Sequence, residues 1–265
     1  MTGVLERLEK ALTEPAGTTG DEYVHGSSVA GRAPPAQPCR SGRIRVVSDG
    51  FEAVLFDWRG TLVATSTLQE WVREALRRLG RPARDGEVDE LAARLDGAED
   101  TLDGPGVDCD ADLHRHTYRT AFRDLGIDDD LAEALYAVES DPAADPFADD
   151  ARETLHRLRA AGLRLAVVSD IHVDIRPAFA AAGLVDLIDV FTLSFEQGLQ
   201  KPDPRMFTRT LAALGADAAA SLMVGDRSRP DGAAVEAGVT TLLLPPLTSA
   251  QDRRLDRVSI LCGVP

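Results

Sequence analysis

The clearest pattern in the sequence is a set of short apolar runs, each bounded by polar or turn-forming residues. One run lies early in the chain and the other four follow much later. Continuous apolar runs of roughly four to eight residues are typical of buried strands. We therefore predict five buried strands, at Phe51–Asp57, Leu163–Ser169, Asp189–Ser194, Ser221–Asp226 and Val239–Leu244.

A helix-like stretch precedes each of the last four runs. These stretches are Ala151–Ala161, Asp174–Ala182, Pro204–Leu214 and Gly232–Ala237, and each is followed directly by a glycine. Glycine is favoured there because it adopts the left-handed conformation that ends many helices. Strands that alternate with helices through short links build parallel sheets. The predicted fold class is α/β, a Rossmann-like doubly wound parallel sheet.

The interval between the first and second runs has a different pattern. Apolar residues such as Leu68, Trp71, Val72 and Leu76 recur at helical spacing, and no convincing strand is present. A loop of this length would be unusual inside a compact domain. We predict a helical insert over residues 65–146.

The remaining chain divides into an extension and a core. Residues 1–48 contain a Gly/Pro/Ser-rich stretch with few apolar residues, a composition typical of flexible segments. Residues 49–64 and 147–265 carry the predicted strands and form the core.

Charge and cysteine content narrow the class of protein. Lys+Arg 29 against Asp+Glu 44 gives a net charge of −15, which disfavours nucleic-acid partners and anionic membrane surfaces. No apolar run approaches the roughly 18–20 residues of a membrane span. The three cysteines form no metal or redox motif, so we expect neither a disulfide framework nor a zinc site. The expected location is the cytoplasm.

Polar residues that can support chemistry follow the predicted strands. Asp57 ends the first, Ser169 and Asp170 end the second, Lys201 follows the third across a short loop, and Asp226 ends the fourth with Asp231 five residues later. The carboxyl ends of parallel strands meet at one edge of the sheet. Carboxylates gathered there repel one another unless a cation lies between them, and Mg²⁺ prefers such oxygen ligands. A carboxylate facing a phosphoryl group can also act as its nucleophile.

Four motifs in this order resemble those of the haloacid dehalogenase-like hydrolase superfamily. They are FDWRGTL at Phe56–Leu62, VVSD at Val167–Asp170, QKPDP at Gln200–Pro204 and VGDRSRPD at Val224–Asp231. The insert resembles the helical cap of the subfamily that includes phosphoglycolate phosphatase and β-phosphoglucomutase. We call residues 65–146 the cap.

The resemblance implies roles for individual residues. Asp57 would be the nucleophile and a metal ligand, and Thr61 would fix the first motif's loop. Asp226 would bind the metal, with Asp231 as a ligand or an orienting acid. The phosphoryl group and substrate would be bound by Ser169, Asp170 and Lys201.

Arg59 departs from the family pattern. Phosphatases of the superfamily carry an aspartate two residues after the nucleophile, which protonates the leaving group and later activates water. An arginine side chain does neither at pH 7, so slow turnover, a restriction to good leaving groups such as acyl phosphates, or no catalysis is expected. The family's metal ligand from this position is the backbone carbonyl, which Arg59 retains. Its guanidinium could pair with Asp57, bind an anionic substrate or weaken metal affinity.

The leading hypothesis is a Mg²⁺-dependent phosphatase of a small phosphorylated metabolite, working through an aspartyl-phosphate as a monomer or homodimer. One alternative is a dehalogenase-like carbon–halogen hydrolase, which needs neither a second acid nor a metal. Another is a non-catalytic relative that binds a phosphoryl ligand or a protein. Phosphonate cleavage through a Schiff base is excluded because residues 65–146 contain no lysine.

Two further groups of polar residues are interpreted as structural. His114, His116, His156 and His172 are expected to be solvated or packed side chains rather than metal ligands. The acidic segment Asp96–Asp112 is expected to be a solvated loop, because it lacks the ligand pattern of a calcium loop.

Overall fold

The computed structural model describes residues 50–264, so the predicted extension at 1–48 lies outside the described residues. Five parallel strands form one sheet in the order β3-β2-β1-β4-β5. They are β1 (Ala53–Phe56), β2 (Arg164–Ser169), β3 (Val190–Leu193), β4 (Ser221–Gly225) and β5 (Thr240–Leu243). The predicted fold class is confirmed, and each strand lies within its predicted run.

Ten α-helices accompany the sheet in the described chain. They are α1 (Leu68–Arg78), α2 (Asp85–Asp96), α3 (Glu99–Leu102), α4 (Ala111–Asp124), α5 (Asp129–Glu139), α6 (Ala151–Ala160), α7 (Arg176–Ala181), α8 (Ser194–Gln197), α9 (Pro204–Leu214) and α10 (Asp256–Leu261). Short 3₁₀ helices lie at Val107–Cys109, Pro142–Ala144, Val185–Leu187, Ala218–Ala220 and Gly232–Ala237. No helix among residues 50–264 is long and apolar enough to cross a membrane.

Alternation along the strands produces two separate apolar layers. On β1, Val54 and Phe56 join a cluster with α6, α7 and α10, whereas Ala53 and Leu55 join a cluster with α9. Neighbouring residues of a strand point to opposite faces of the sheet. Both faces are therefore covered by helices, as expected of a doubly wound sheet.

The helices between β1 and β2 have an apolar core of their own. Trp71 of α1, Phe122 of α4 and Leu135 of α5 are buried in it, and the Trp71 indole donates to the Leu135 carbonyl at 2.9 Å. A capping box starts α1, in which Thr67 accepts from the Glu70 amide and Glu70 accepts from the Thr67 amide. The domain boundaries given above stay a prediction.

The chain enters and leaves the cap at one place. Val63 and Phe147 form an antiparallel bridge, and the Ala64 amide donates to the Pro146 carbonyl at 2.9 Å. The two crossings are therefore held side by side. This arrangement places the cap above the edge of the sheet where β1 ends.

Candidate active site

Strand register brings the first and fourth motifs together. Phe56 of β1 pairs with Val224 of β4, and the Asp57 amide donates to the Val224 carbonyl at 2.9 Å. Asp57 and Asp226 therefore leave neighbouring strands at the same edge. The oxygens of Asp57, Asp226 and Asp231 lie within 4.8 Å of one another.

Lys201 lies between two of these acids. Its ammonium donates to Asp57 Oδ1 at 2.5 Å and to Asp231 Oδ1 at 2.6 Å. All three side chains are almost fully buried. Burial alone would lower the pKa of Lys201, but the two carboxylates raise it, so the side chain is cationic. Burial raises the pKa of Asp57 to about 7 against the opposing effect of Lys201.

Two glycines give the carboxylates room. A Cβ at Gly60, where φ is +75°, would lie 2.4 Å from Asp226 Oδ2. A Cβ at Gly225 would lie 2.3 Å from the Asp231 carboxyl group. Only glycine permits such close approach, and the positive φ at Gly60 adds a second requirement. Thr61, which is fully buried, donates to Asp226 at 3.2 Å.

The donor set fits a divalent cation. Asp57, Asp226 and Asp231 supply three carboxylates against the single ammonium of Lys201, and burial raises the pKa of Asp226, with the nearby charge of Asp231 adding to the effect. Hard oxygen donors of this kind suit Mg²⁺. A bound cation would supply the missing positive charge and favour the ionised form of Asp57.

The second and third motifs complete the edge. Ser169 is buried at the end of β2, and the Asp170 carboxylate accepts from the Lys201 amide at 2.8 Å. Burial raises the pKa of Asp170 to about 6. Sequence reasoning missed Arg227, whose guanidinium lies 3.7 Å from Asp170 and donates to Asp103 of the cap at 3.1 Å. Its position directly after Asp226 was the available signal.

Arg59 forms no pair with Asp57, whereas its proposed roles in binding an anionic substrate or weakening metal affinity stay predictions. Its Nε donates to Asp145 at 2.8 Å and its Nη2 to the Glu139 carbonyl at 2.7 Å, while Nη1 forms an ion pair with the Glu139 carboxylate. The two acids raise the pKa of Arg59 against the effect of burial. Arg59 therefore ties the loop that follows Asp57 to the end of the cap. The backbone-carbonyl role stays a prediction.

A cavity of about 390 Å³ separates the sheet edge from the cap. Asp57, Ser169 and Asp226 line its core side. The cap contributes Leu102, Asp103, Asp108, Tyr118 and Glu139. The volume suits a small metabolite.

Three polar residues of the cap and core meet beside this cavity. Asp108 Oδ1 lies 3.7 Å from His114 Nε2 and 3.8 Å from His172 Nδ1, and the two imidazole rings stack with centroids 3.4 Å apart. The rings are nearly parallel, at 11°, so their in-plane lone pairs do not converge on one ion. Both rings are buried and packed, as predicted, while one ligand atom each of Asp108, His114 and His172 lies within 4.8 Å of the others, so the absence of metal binding here stays a prediction.

The acidic segment differs from the expected solvated loop. It contains α3 and a 3₁₀ turn, and Asp108 is only partly exposed at the cavity while the other acids of the segment are exposed. The Asp108 backbone explains the difference, because its carbonyl accepts from Ser194 of the core at 2.8 Å.

Comparisons with known proteins agree with this geometry. A buried carboxylate paired with Lys201 lies at the carboxyl edge of the parallel sheet, beneath a helical insert, which is the layout of a capped α/β domain. A sequence profile of the haloacid dehalogenase-like hydrolase family matches residues 51–238. The chain belongs to that family and is a hydrolase, and its helical insert fits the subfamily with helical caps.

Proteins named as phosphatases and as dehalogenases are both similar to this chain. A ribulose-1,5-bisphosphate 5-phosphatase from Halopiger xanaduensis is 37% identical over 99 residues, 37% of this chain and 41% of that protein. The chain spans less than half the length of the curated relatives it matches. The structure of a phosphatase from Thermococcus onnurineus matches 80% of this chain and 98% of its own, with 23% identity and a TM-score of 0.55. L-2-haloacid dehalogenase from Xanthobacter autotrophicus matches 73% and 77%, with 24% identity and a TM-score of 0.53. The two structures share the fold.

Proposed function

We propose that this hydrolase is a Mg²⁺-dependent phosphatase of small phosphorylated metabolites. The observation that carries the proposal is the cluster of Asp57, Asp226 and Asp231, in which Lys201 pairs with Asp57 and Asp231. Asp57 and Asp226 line a cavity of about 390 Å³. Three carboxylates with one buried ammonium suit a metal and a phosphoryl group better than a metal-free reaction.

The proposed mechanism starts at Asp57, whose carboxylate attacks phosphorus to give an aspartyl-phosphate as the P–O bond breaks and the leaving group departs as an aryloxide or carboxylate. Ser169 and Lys201 would bind the phosphoryl oxygens. Mg²⁺, held by Asp57 and Asp226 with Asp231 as a ligand or orienting acid, would supply positive charge near those oxygens. Water would then hydrolyse the intermediate and release phosphate.

Arg59 sets the expected substrate preference. Its guanidinium is held by Glu139 and Asp145 and donates no proton at neutral pH. A proton donor at this step is worth roughly 10²- to 10⁴-fold. We therefore expect aryl and acyl phosphates to be hydrolysed much faster than alkyl phosphates, because their aryloxide and carboxylate leaving groups depart without protonation.

The test is hydrolysis of p-nitrophenyl phosphate and acetyl phosphate by the full chain, with Mg²⁺ or with EDTA. We expect activity only with Mg²⁺, and Asp57→Asn should abolish it. Asp186→Asn is the matched control, because this carboxylate is exposed and forms no ion pair with any described residue. Activity that survives Asp57→Asn would refute the proposed nucleophile.

The dehalogenase alternative is tested in the same preparation. The acidic cavity opposes the carboxylate of a 2-haloacid, which disfavours this reaction. Halide release from 2-chloropropionate in EDTA would favour it over the phosphatase. No activity in either assay, with phosphate still raising the Tm, would indicate a binding protein.

A further inference from the structure

One buried cation near the site has no part in the proposed mechanism. Arg254, in the segment before α10, is 6% exposed and forms no ion pair with any residue among 50–264. Its guanidinium donates only to backbone carbonyls within that range. Burying a charge is costly unless the group is paired or hydrogen-bonded. These carbonyls are therefore the groups that compensate the burial of Arg254.

The carbonyls belong to two separate segments. Nη2 of Arg254 donates to the carbonyls of Gly60 and Thr61 at 2.9 and 2.8 Å, and Nη1 donates to the carbonyl of Pro245. Gly60 and Thr61 lie in the loop that follows Asp57, whereas Pro245 follows β5. The planar fork of an arginine can hold several acceptors at once. One side chain therefore ties the first motif's loop to the segment after β5.

Both loop residues that Arg254 holds lie against Asp226. The Thr61 hydroxyl donates to Asp226 Oδ1 at 3.2 Å, and a Cβ at Gly60 would lie 2.4 Å from Asp226 Oδ2. Each carboxylate oxygen thus has a neighbour whose backbone is fixed by the guanidinium. Within the described chain the Thr61 carbonyl has no other donor, and a buried carbonyl without one is unfavourable. Loss of Arg254 should therefore let the loop move and change the orientation of Asp226.

We propose that Arg254 is a positioning residue, which holds Gly60 and Thr61 so that Asp226 presents its carboxylate to the divalent cation. Arg254 does not line the cavity, so it acts through the loop and not on the substrate. It also lies beyond residues 51–238, which the family profile matches. This inference rests on the proposed function, because that function requires the cation.

The experiment measures binding of Mg²⁺ alone, so that it does not depend on turnover. Mg²⁺ is titrated calorimetrically into the full chain and into Arg254→Met and Arg254→Lys, at a temperature where each is folded. Loss of a residue that orients a metal ligand weakens metal binding by about 10- to 100-fold. We expect Arg254→Met to bind Mg²⁺ about tenfold or more weakly than wild type.

Arg254→Lys keeps the cation but lacks the fork, so it can hold fewer of the three carbonyls. We expect its Mg²⁺ affinity to lie between those of wild type and Arg254→Met, about threefold or more below wild type. If Arg254→Met does not fold, the comparison of Arg254→Lys with wild type still tests the proposal.

The matched control is Arg164→Met. Arg164 begins β2 at the opposite edge of the sheet, and it donates to the carbonyls of Leu214 and Gly215 at 2.8 and 2.5 Å. This variant removes the same kind of arginine–carbonyl bond far from Asp226. It should lower the urea midpoint and leave the Mg²⁺ affinity unchanged.

The outcomes separate this inference from the proposed function. Wild-type Mg²⁺ affinity in either Arg254 variant would overturn the positioning role alone, as would an equal loss of affinity in Arg164→Met. No Mg²⁺ binding by wild type would overturn both the positioning role and the phosphatase. The expected order of affinities without Mg²⁺-dependent hydrolysis of p-nitrophenyl phosphate would keep the positioning role and refute the phosphatase.

Discussion

Replacing Arg59 by methionine tests whether this residue couples the loop that follows Asp57 to the cap. The side chains of Arg59, Glu139 and Asp145 are 26%, 19% and 9% exposed. Exposed ion pairs contribute about 0–1 kcal/mol, whereas breaking a fully buried pair costs about 3–5 kcal/mol. These groups are largely buried, so Arg59→Met should lower the free energy of unfolding by about 2–4 kcal/mol.

The chain offers a direct assay because its only two tryptophans lie in different apolar clusters. Trp58 belongs to the core cluster and Trp71 to the cap cluster. Urea unfolding of Trp58→Phe and Trp71→Phe backgrounds therefore follows cap and core separately. In wild type the two transitions should coincide, and with Arg59→Met the cap should unfold first.

The control is Arg157→Met, which removes an exposed pair with Glu153 and should change stability by less than about 0.5 kcal/mol. A double-mutant cycle between Arg59→Met and Glu139→Gln should give a coupling energy of about 1 kcal/mol or more. A cost below about 1 kcal/mol for Arg59→Met, with coincident transitions, would refute the coupling role.

Two further predictions concern catalysis and pH. Arg59→Asp alone would place a third carboxylate beside Glu139 and Asp145, so we combine it with Glu139→Gln and Asp145→Asn. In this triple variant the hydrolysis rate of an alkyl phosphate such as glycerol phosphate should rise by roughly 10²-fold. An unchanged rate would show that Arg59 is not the cause of slow turnover. The pKa of His114 is lowered from its ordinary value of 6.5 to about 3, so below pH 6.5 the unfolded chain binds a proton that the folded chain resists, and stability falls as the pH drops from 6.5 towards 3. The urea midpoint should fall less between pH 7.5 and pH 5 in His114→Phe than in wild type. The control His156→Gln, at an exposed position, should show the same fall as wild type. An equal fall in both variants would contradict the assignment of the pH effect to His114.

Local pattern was sufficient to predict the framework of the fold. The β1 run is apolar on both faces because helices cover both sides of the sheet, and that gives a continuous signal rather than an alternating one. Motif order then placed Asp57, Lys201 and Asp226 at one edge, where the structure has them. The edge of the sheet at which a strand-end residue lies follows from strand direction alone, and the sequence predicts that direction.

Contacts between distant segments could not be predicted from the local sequence pattern. Glu139 and Asp145 lie 80 and 86 residues from Arg59, and each is ordinary in its own surroundings. His114 and His172 likewise stack only because the cap packs on the core. Asp103 and Asp108 were grouped with their solvated neighbours, since nothing in the spacing of the acids distinguishes the two that line the cavity.

The paired crossings at Val63 and Phe147 have a consequence for engineering. Excising residues 66–144 would leave two chain ends that main-chain hydrogen bonds already hold together, at Ala64 and Pro146. A tight turn of about two residues closes a gap of that kind between antiparallel segments. The cap over Asp57 can thus be exchanged as a unit. Grafting another helical insert onto these same ends would change the residues that face Asp57 without altering the sheet.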